Sequence, residues 1–321
     1  MIFSKQIEKL YRSQLYKRYD DTGEVFYFSP SDFPGLNAEP YSFTASAGHT
    51  LKGYFYSYDE PNPHRIIVFD HGMGAGHRAY MKEIELIARH GYKVFSYDHT
   101  GCFESGGEHT NGFLQSLCDL NDCINALKTY QKTKNSDFSV VGHSWGAFST
   151  LNITAFHPDI SHIVAMCGFI SVERILKSNF NGILSLYRKH LYEVEKKTNP
   201  DFINANAIDT LSSSNAKILL IYSDNDPIVK REHHYEPLRS ALSHKPNVRF
   251  MLVEGKEHNP NYTSSAIKIK NDFFKALTQK LKRNELADDN AKKEFVSSFD
   301  FDAMTEQDNT VWIEIFKTLD R

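Results

Sequence analysis

The chain has 321 residues, 40 per cent of them hydrophobic and 24 per cent charged, the proportions of a globular protein with enough apolar surface for a sizeable core. A formal net charge of -3 leaves no basic footprint for nucleic acid or an anionic membrane, and no apolar run approaches the ~18 residues a bilayer span requires. Four cysteines, Cys102, Cys118, Cys123 and Cys167, form neither a CxxC pair nor a dense framework, so a reducing, cytoplasmic setting is expected.

The opening stretch MIFSKQIEKLYRSQLYKRYD is charged throughout and has no signal-peptide core. It reads as an amphipathic helix within an N-terminal extension, residues 1–39, outside the main core. From Tyr41 the chain alternates in strand fashion around Ala47-Gly48-His49, the pattern of a hairpin. RIIVFDHG is a short β-branched run expected of a strand buried on both faces. HRAYMKEIELIARHG follows with helical spacing, and Gly91 serves as its stop. The alternation then repeats: strand YKVFSYDH, helix FLQSLCDLNDCINALKTYQK, strand FSVVGHS, helix WGAFSTLNITAFH, strand HIVAMCGF. This predicts βαβ units and a mostly parallel sheet with helices on both faces.

The rhythm breaks at about residues 170–215, where the periodicity is helical and no strand-like run occurs; an inserted helical lid is the simplest expectation. It resumes with strand KILLIYSD, helix KREHHYEPLRSAL, strand VRFMLVEG and helix SSAIKIKNDFFKALTQKLK. The main domain is therefore expected over 40–283. Residues 284–321, more acidic and weakly patterned, read as a tail with one docking helix at most.

Within this frame Gly142-His143-Ser144-Trp145-Gly146 stands between a strand and a helix. A sharp strand-to-helix turn demands small residues on either side of the serine and lifts its hydroxyl clear of the backbone. The turn also aims the first amides of the following helix at a developing anion, and the Trp145 amide is the natural donor. The glycine-rich turn His71-Gly72-Met73-Gly74-Ala75-Gly76 closes another strand, and Met73 would supply the second oxyanion donor. A dinucleotide loop competes there because Asp98 lies about twenty residues on, but His77 occupies the place of the third glycine. Asp224 and Asp226 follow one strand and His258 the next. A serine needs a base, and the base needs an orienting carboxylate.

The pieces HGMGAGHRAYM, YDHTGCFESGG, GHSWGAFS, YSDNDPIV and GKEHNP together resemble the α/β-hydrolases, in particular the lid-bearing monoacylglycerol lipase and serine aminopeptidase-like branch. The resemblance spans about residues 40–283. It implies the α/β-hydrolase fold and a Ser144–Asp226–His258 triad, with Asp226 preferred to Asp224 because Asp226-Pro227-Ile228-Val229 matches the family's acid setting. It further implies Met73 and Trp145 as oxyanion donors, carboxylesterase- or lipase-like hydrolysis of a small-molecule acyl ester through an acyl-enzyme, and no metal or organic cofactor. Phe103 departs from a glycine of the family's D-x-x-G-x-G-x-S turn, which places local loop shape in question.

Peptidase, aminopeptidase or thioesterase chemistry on the same triad is the alternative, and a silent binding module a remote one. An aminopeptidase needs acidic groups for a substrate ammonium; Glu173, Glu193 and Glu195 lie in the lid but read as a mixed solvated surface. His71 and His143 read as structural, and His233-His234 as a solvated helix face. His77 and Arg78 read as candidates for the pocket mouth, Arg78 able to meet an acidic substrate group.

Overall fold

The computed structural model describes residues 3–59, 61–62 and 64–320; Met1 and Ile2 of the expected N-terminal extension lie outside these. Eight strands form one sheet: β1 (Asn37–Thr44), β2 (Thr50–Ser57), β3 (Arg65–Asp70), β4 (Lys93–Tyr97), β5 (Asp137–His143), β6 (His162–Met166), β7 (Lys217–Ser223) and β8 (Val248–Val253). Their order across the sheet is β1-β2-β4-β3-β5-β6-β7-β8. The β1–β2 hairpin and its junction with β4 are antiparallel, and every pairing from β4 through β8 is parallel.

The two-residue period of the strands divides the core. Ile66 and Val68 of β3, Val140 of β5 and Leu220 of β7 face one layer. Their neighbours Ile67, Phe69, Val141 and Ile221 face the other. Both faces are covered, which explains why these strands read as unbroken apolar runs. Helices Gln115–Thr129 and Trp145–Asn152 cover the first face. The second is covered by helix Met81–Arg89 together with a helix from the far end of the chain, Asn309–Leu319, which buries Val311, Trp312, Ile315 and Leu319 against the sheet.

The helix that sequence periodicity offers as the closing βα element, Ser264–Lys282, packs elsewhere. Its Phe273 and Leu277 join Leu286, Phe295, Phe301 and Met304 in a separate apolar cluster. Residues expected as a tail thus supply both the partner of one helix and part of the sheet's cover. Asp308 caps the final helix through the Thr310 amide at 2.9 Å and also holds the Lys256 ammonium at 2.9 Å.

Between β6 and β7 the chain is helical, with Val172–Asn179, Arg188–Thr198 and Ala207–Ser213 joined by 3-10 turns. Arg188–Thr198 is touched by the N-terminal helix Ser4–Leu15. The junction is Glu195, expected at a solvated surface and instead fully buried. Its carboxylate accepts from the Tyr11 hydroxyl at 2.6 Å, the Tyr16 hydroxyl at 3.1 Å and the Phe113 amide at 2.9 Å. Glu173 and Glu193 are exposed. A second correction concerns His234, which is buried rather than solvated and accepts the Ile170 amide at 3.3 Å.

Candidate active site

Ser144 follows β5, Asp226 follows β7 and His258 follows β8, so all three stand at the carboxyl edge of the sheet, where ligands bind open α/β sheets. Ser144 has φ 57° and ψ -113°, a conformation that L-residues adopt only when their surroundings impose it. The surroundings are the elbow itself. A Cβ on Gly142 would lie 2.5 Å from the Gly146 carbonyl oxygen, and one on Gly146 would collide with the Asp70 carbonyl and sit 2.7 Å from that of His71. Both glycines are therefore steric requirements of the turn.

The Ser144 hydroxyl lies 2.7 Å from His258 Nε2, and His258 Nδ1 lies 2.7 Å from Asp226 Oδ2. The other Asp226 oxygen accepts the amides of Ile228 at 2.8 Å and Val229 at 2.9 Å. Burial opposes ionisation of Asp226, but the His258 hydrogen bond and charge with these two amides outweigh it and hold the carboxyl below its ordinary range. Asp224 instead accepts the Gly255 amide at 2.8 Å, which ties the loop after β7 to the loop after β8.

That second loop is fixed from three sides. Lys256 donates to the Tyr262 carbonyl at 2.8 Å as well as to Asp308, and the Glu257 amide donates to Asn225 Oδ1 at 2.8 Å. His143 Nε2 lies 2.7 Å from the His258 carbonyl, and His143 Nδ1 lies 2.9 Å from the Tyr80 hydroxyl. A carbonyl only accepts, so Nε2 of His143 carries the proton and Nδ1 accepts from Tyr80. Tyr80 in turn accepts the Gly72 amide at 3.1 Å. Burial, reinforced by neighbouring His258, lowers His143 to about 3, in keeping with this neutral tautomer. His143, expected as packing or a supporting contact, thus links the serine elbow, the Gly72 turn and the His258 loop.

Met73 and Trp145 line the cavity in front of Ser144. The Trp145 indole donates to the Phe113 carbonyl at 2.7 Å, so its side chain is committed to structure. Its main-chain amide opens a helix, where no preceding carbonyl of that helix is available to it. His71 donates through Nδ1 to the Gly72 carbonyl at 2.8 Å and accepts the His99 amide at Nε2, 3.0 Å away. His77 does not reach the cavity: it is buried, with Nδ1 2.8 Å from Asp98. Arg78 does line it, but donates to the Tyr27 carbonyl at 3.3 Å and faces Asp21 at 3.8 Å.

Behind the elbow, His99 lies between Asp70 at 2.9 Å and Asp119 at 3.2 Å, all three fully buried. Burial alone would discharge the ring; the two carboxylates prevail and push it up to about 9. The Cys167 thiol, an Asp226 oxygen and a His258 nitrogen lie within 4.8 Å of one another. Burial, and then the Asp226 charge, push the thiol far above its ordinary range, and His258 Nδ1 is already engaged by Asp226. This donor set suits proton transfer better than cation binding.

The cavity has a volume of about 880 Å³ and a predominantly apolar lining. The helical insertion between β6 and β7 contributes Ile175, Phe180 and Leu184, yet much of the wall comes from residues 7–28 and 301–305. Ile7, Leu10, Tyr11 and Leu15 form one side; Val25, Phe26, Phe28, Phe301 and Met304 close another. Phe103, the departure from glycine, adopts φ 42° and anchors the segment that follows the N-terminal helix. Its amide donates to the Tyr19 carbonyl at 2.7 Å, its carbonyl accepts from Arg18 at 2.6 Å and its ring meets Tyr27 edge-on at 5.2 Å. It is a dock for the N-terminal segment.

Strand order, elbow and histidine loop together define the α/β-hydrolase fold. The family described as alpha/beta hydrolase fold matches residues 65–217, which supports placement in the α/β-hydrolase superfamily. The chain is similar to the Bacillus subtilis (strain 168) protein named Uncharacterized protein YqkD, with 24% identity over 276 residues covering 81% of this chain and 84% of that one. Among solved structures, the Pyrococcus furiosus esterase Pf2001 shares 22% identity at a TM-score of 0.58, covering 81% of this chain and 96% of that chain. The Pyrococcus horikoshii acylaminoacyl peptidase shares 16% at a TM-score of 0.52, covering 71% of this chain and 38% of that chain.

Proposed function

We propose that this protein is a serine hydrolase that cleaves carboxylic esters through an acyl-enzyme. The observation that carries the reading is the unbroken relay from Ser144 Oγ to His258 Nε2 and from His258 Nδ1 to Asp226, 2.7 Å at each step. His258 takes the hydroxyl proton as Ser144 attacks the ester carbonyl, while Asp226 keeps the imidazole in the accepting tautomer. The Met73 and Trp145 amides receive the oxyanion, each such donor contributing roughly 2.7–4 kcal/mol to the transition state. His258 then protonates the departing alkoxide. It next deprotonates a water that attacks the acyl-serine, and finally returns the proton to Ser144.

Ester hydrolysis is favoured over aminopeptidase chemistry because, among the described residues, no aspartate or glutamate lines the cavity, and the one fully buried carboxylate of the helical insertion, Glu195, is engaged by Tyr11, Tyr16 and Phe113. A substrate ammonium would meet no counter-charge. The apolar lining and the helical segment over the site are in keeping with the lid-bearing lipase branch, and the four free, buried cysteines with a cytoplasmic setting. The test is hydrolysis of p-nitrophenyl esters from two to sixteen acyl carbons by wild type and Ser144→Ala. Activity is expected in the first and loss of at least ~10³-fold in the second. Equal activity in both would refute the relay.

A further inference from the structure

Among the described residues, two lysine or arginine side chains line the cavity, Arg78 and Lys270. Arg78 is occupied by the Tyr27 carbonyl and Asp21. Lys270 is different. It lies on helix Ser264–Lys282 one turn before Phe274, which lines the same cavity. Its ammonium donates to Asn259 Oδ1 at 2.7 Å and stands 5.0 Å from the centre of the Tyr262 ring. Among the described residues no carboxylate forms an ion pair with it; Glu83 and Glu257 act on it only from further off. An ammonium has three N–H donors, and Asn259 engages one.

We propose that Lys270 is a specificity residue that binds an anionic group, a carboxylate or a phosphate, on the leaving-group half of the substrate. This rests on the ester-hydrolase reading above. The placement follows from His258, which must come within hydrogen-bond reach of the departing oxygen. Asn259, the residue that holds Lys270, is the next one in the chain. The lysine therefore stands on the side from which the alcohol leaves.

Tyr11, Phe113, Phe169, Ile175 and Phe180, which also line the cavity, are apolar and belong to or pack against a core cluster that includes neither Lys270 nor Tyr262, so that part of the wall suits the acyl group. A strongly hydrated point charge on a flexible stem serves carboxylate and phosphate equally well. Burial disfavours the charged form and lowers Lys270 to about 8, a penalty that an anionic ligand would offset. With no acidic side chain among the described lining residues, a neutral or cationic leaving group gains nothing comparable.

The experiment compares kcat/KM for the butanoate ester of 4-hydroxyphenylacetate with that for the butanoate esters of its uncharged methylamide and of a trimethylammonium analogue. A phosphonomethyl analogue distinguishes phosphate from carboxylate. Wild type should favour an anionic ester over the neutral one by roughly tenfold or more. Lys270→Met should abolish that preference, the anionic ester losing about tenfold more than the neutral one, and Lys270→Glu should transfer the preference to the cation. Equal rates in wild type, or a preference that Lys270→Met does not reduce, overturns the proposal while the hydrolase reading stands on the neutral ester.

If no ester is turned over and a fluorophosphonate fails to label Ser144, the hydrolase reading falls and the proposal with it. Binding of 4-hydroxyphenylacetate to Ser144→Ala by calorimetry reads the same contact without turnover. It should weaken by about tenfold or more on adding Lys270→Met; unchanged binding overturns the proposal.

Discussion

Tyr11→Phe removes one hydroxyl from the junction between the N-terminal helix and helix Arg188–Thr198. The lost bond is the shortest of the three that Glu195 accepts, 2.6 Å against 2.9 Å and 3.1 Å, and hydrogen bonds to charged groups contribute ~1.5–3 kcal/mol. Oε1 keeps the Tyr16 hydroxyl and Oε2 keeps the Phe113 amide, so no oxygen is orphaned and the cost should fall near ~1.5 kcal/mol. Adding Tyr16→Phe leaves Oε1 without a donor, and the desolvation penalty raises the total to ~3–5 kcal/mol. Proton uptake limits the cost, because burial already pushes the Glu195 carboxyl up.

The consequence should be local opening of helix Ser4–Leu15 rather than global unfolding. Trypsin cleavage after Lys9 and Arg12, followed by mass spectrometry, reads that opening when reclosing is fast. Cleavage should accelerate about tenfold in the single variant and a hundredfold or more in the double. Because Tyr11 lines the cavity, KM for long-chain esters should rise in step. Unchanged cleavage and KM in the double variant would mean that Glu195 does not hold the helix, and the reasoning fails.

Asp226→Asn tests the relay from its far end. The amide oxygen would keep the Ile228 and Val229 amides and turn an NH2 toward His258, forcing the imidazole into the tautomer that cannot accept from Ser144. A fall in kcat of ~10³–10⁴-fold with unchanged thermal midpoint is expected, and a loss of under tenfold would speak against it. His99 makes stability depend on pH: its folded value is raised to about 9, so its contribution is complete below its unfolded value of ~6.5 and is lost as pH rises through about 9. Urea midpoints of wild type should fall over that window by the equivalent of up to ~3 kcal/mol, and those of His99→Gln should stay flatter; parallel curves would remove His99 as the cause.

The strands were legible because burial on both faces writes itself as β-branched runs such as RIIVFD and KILLIYS. The elbow was legible because Gly142 and Gly146 answer a steric demand that the backbone makes locally. Glu195 was not, since its partners Tyr11 and Tyr16 lie 184 and 179 residues away, and within its own helix it stands among lysines like any solvated acid. Lys270 was hidden in the same way, one more polar residue on an amphipathic helix whose packing partners come from later in the chain. His234 misled because the predicted helix begins later than its periodicity suggests: the observed helix starts at Tyr235. Phe103 could be flagged as a departure from a glycine turn, but only the docked Tyr19 and Tyr27 explain why an aromatic residue stands there.

The cavity walls contributed by Ile7, Leu10 and Tyr11 at one end of the chain and by Phe301 and Met304 at the other have a consequence in time. On a ribosome the serine elbow is made long before Phe301, and a domain that folds as it is synthesised would hold Ser144 in an unfinished cleft. The cavity acquires its full wall only after Phe301 and Met304 have emerged, so a nascent chain carries Ser144, the proposed nucleophile, before it carries the means to select what reaches it.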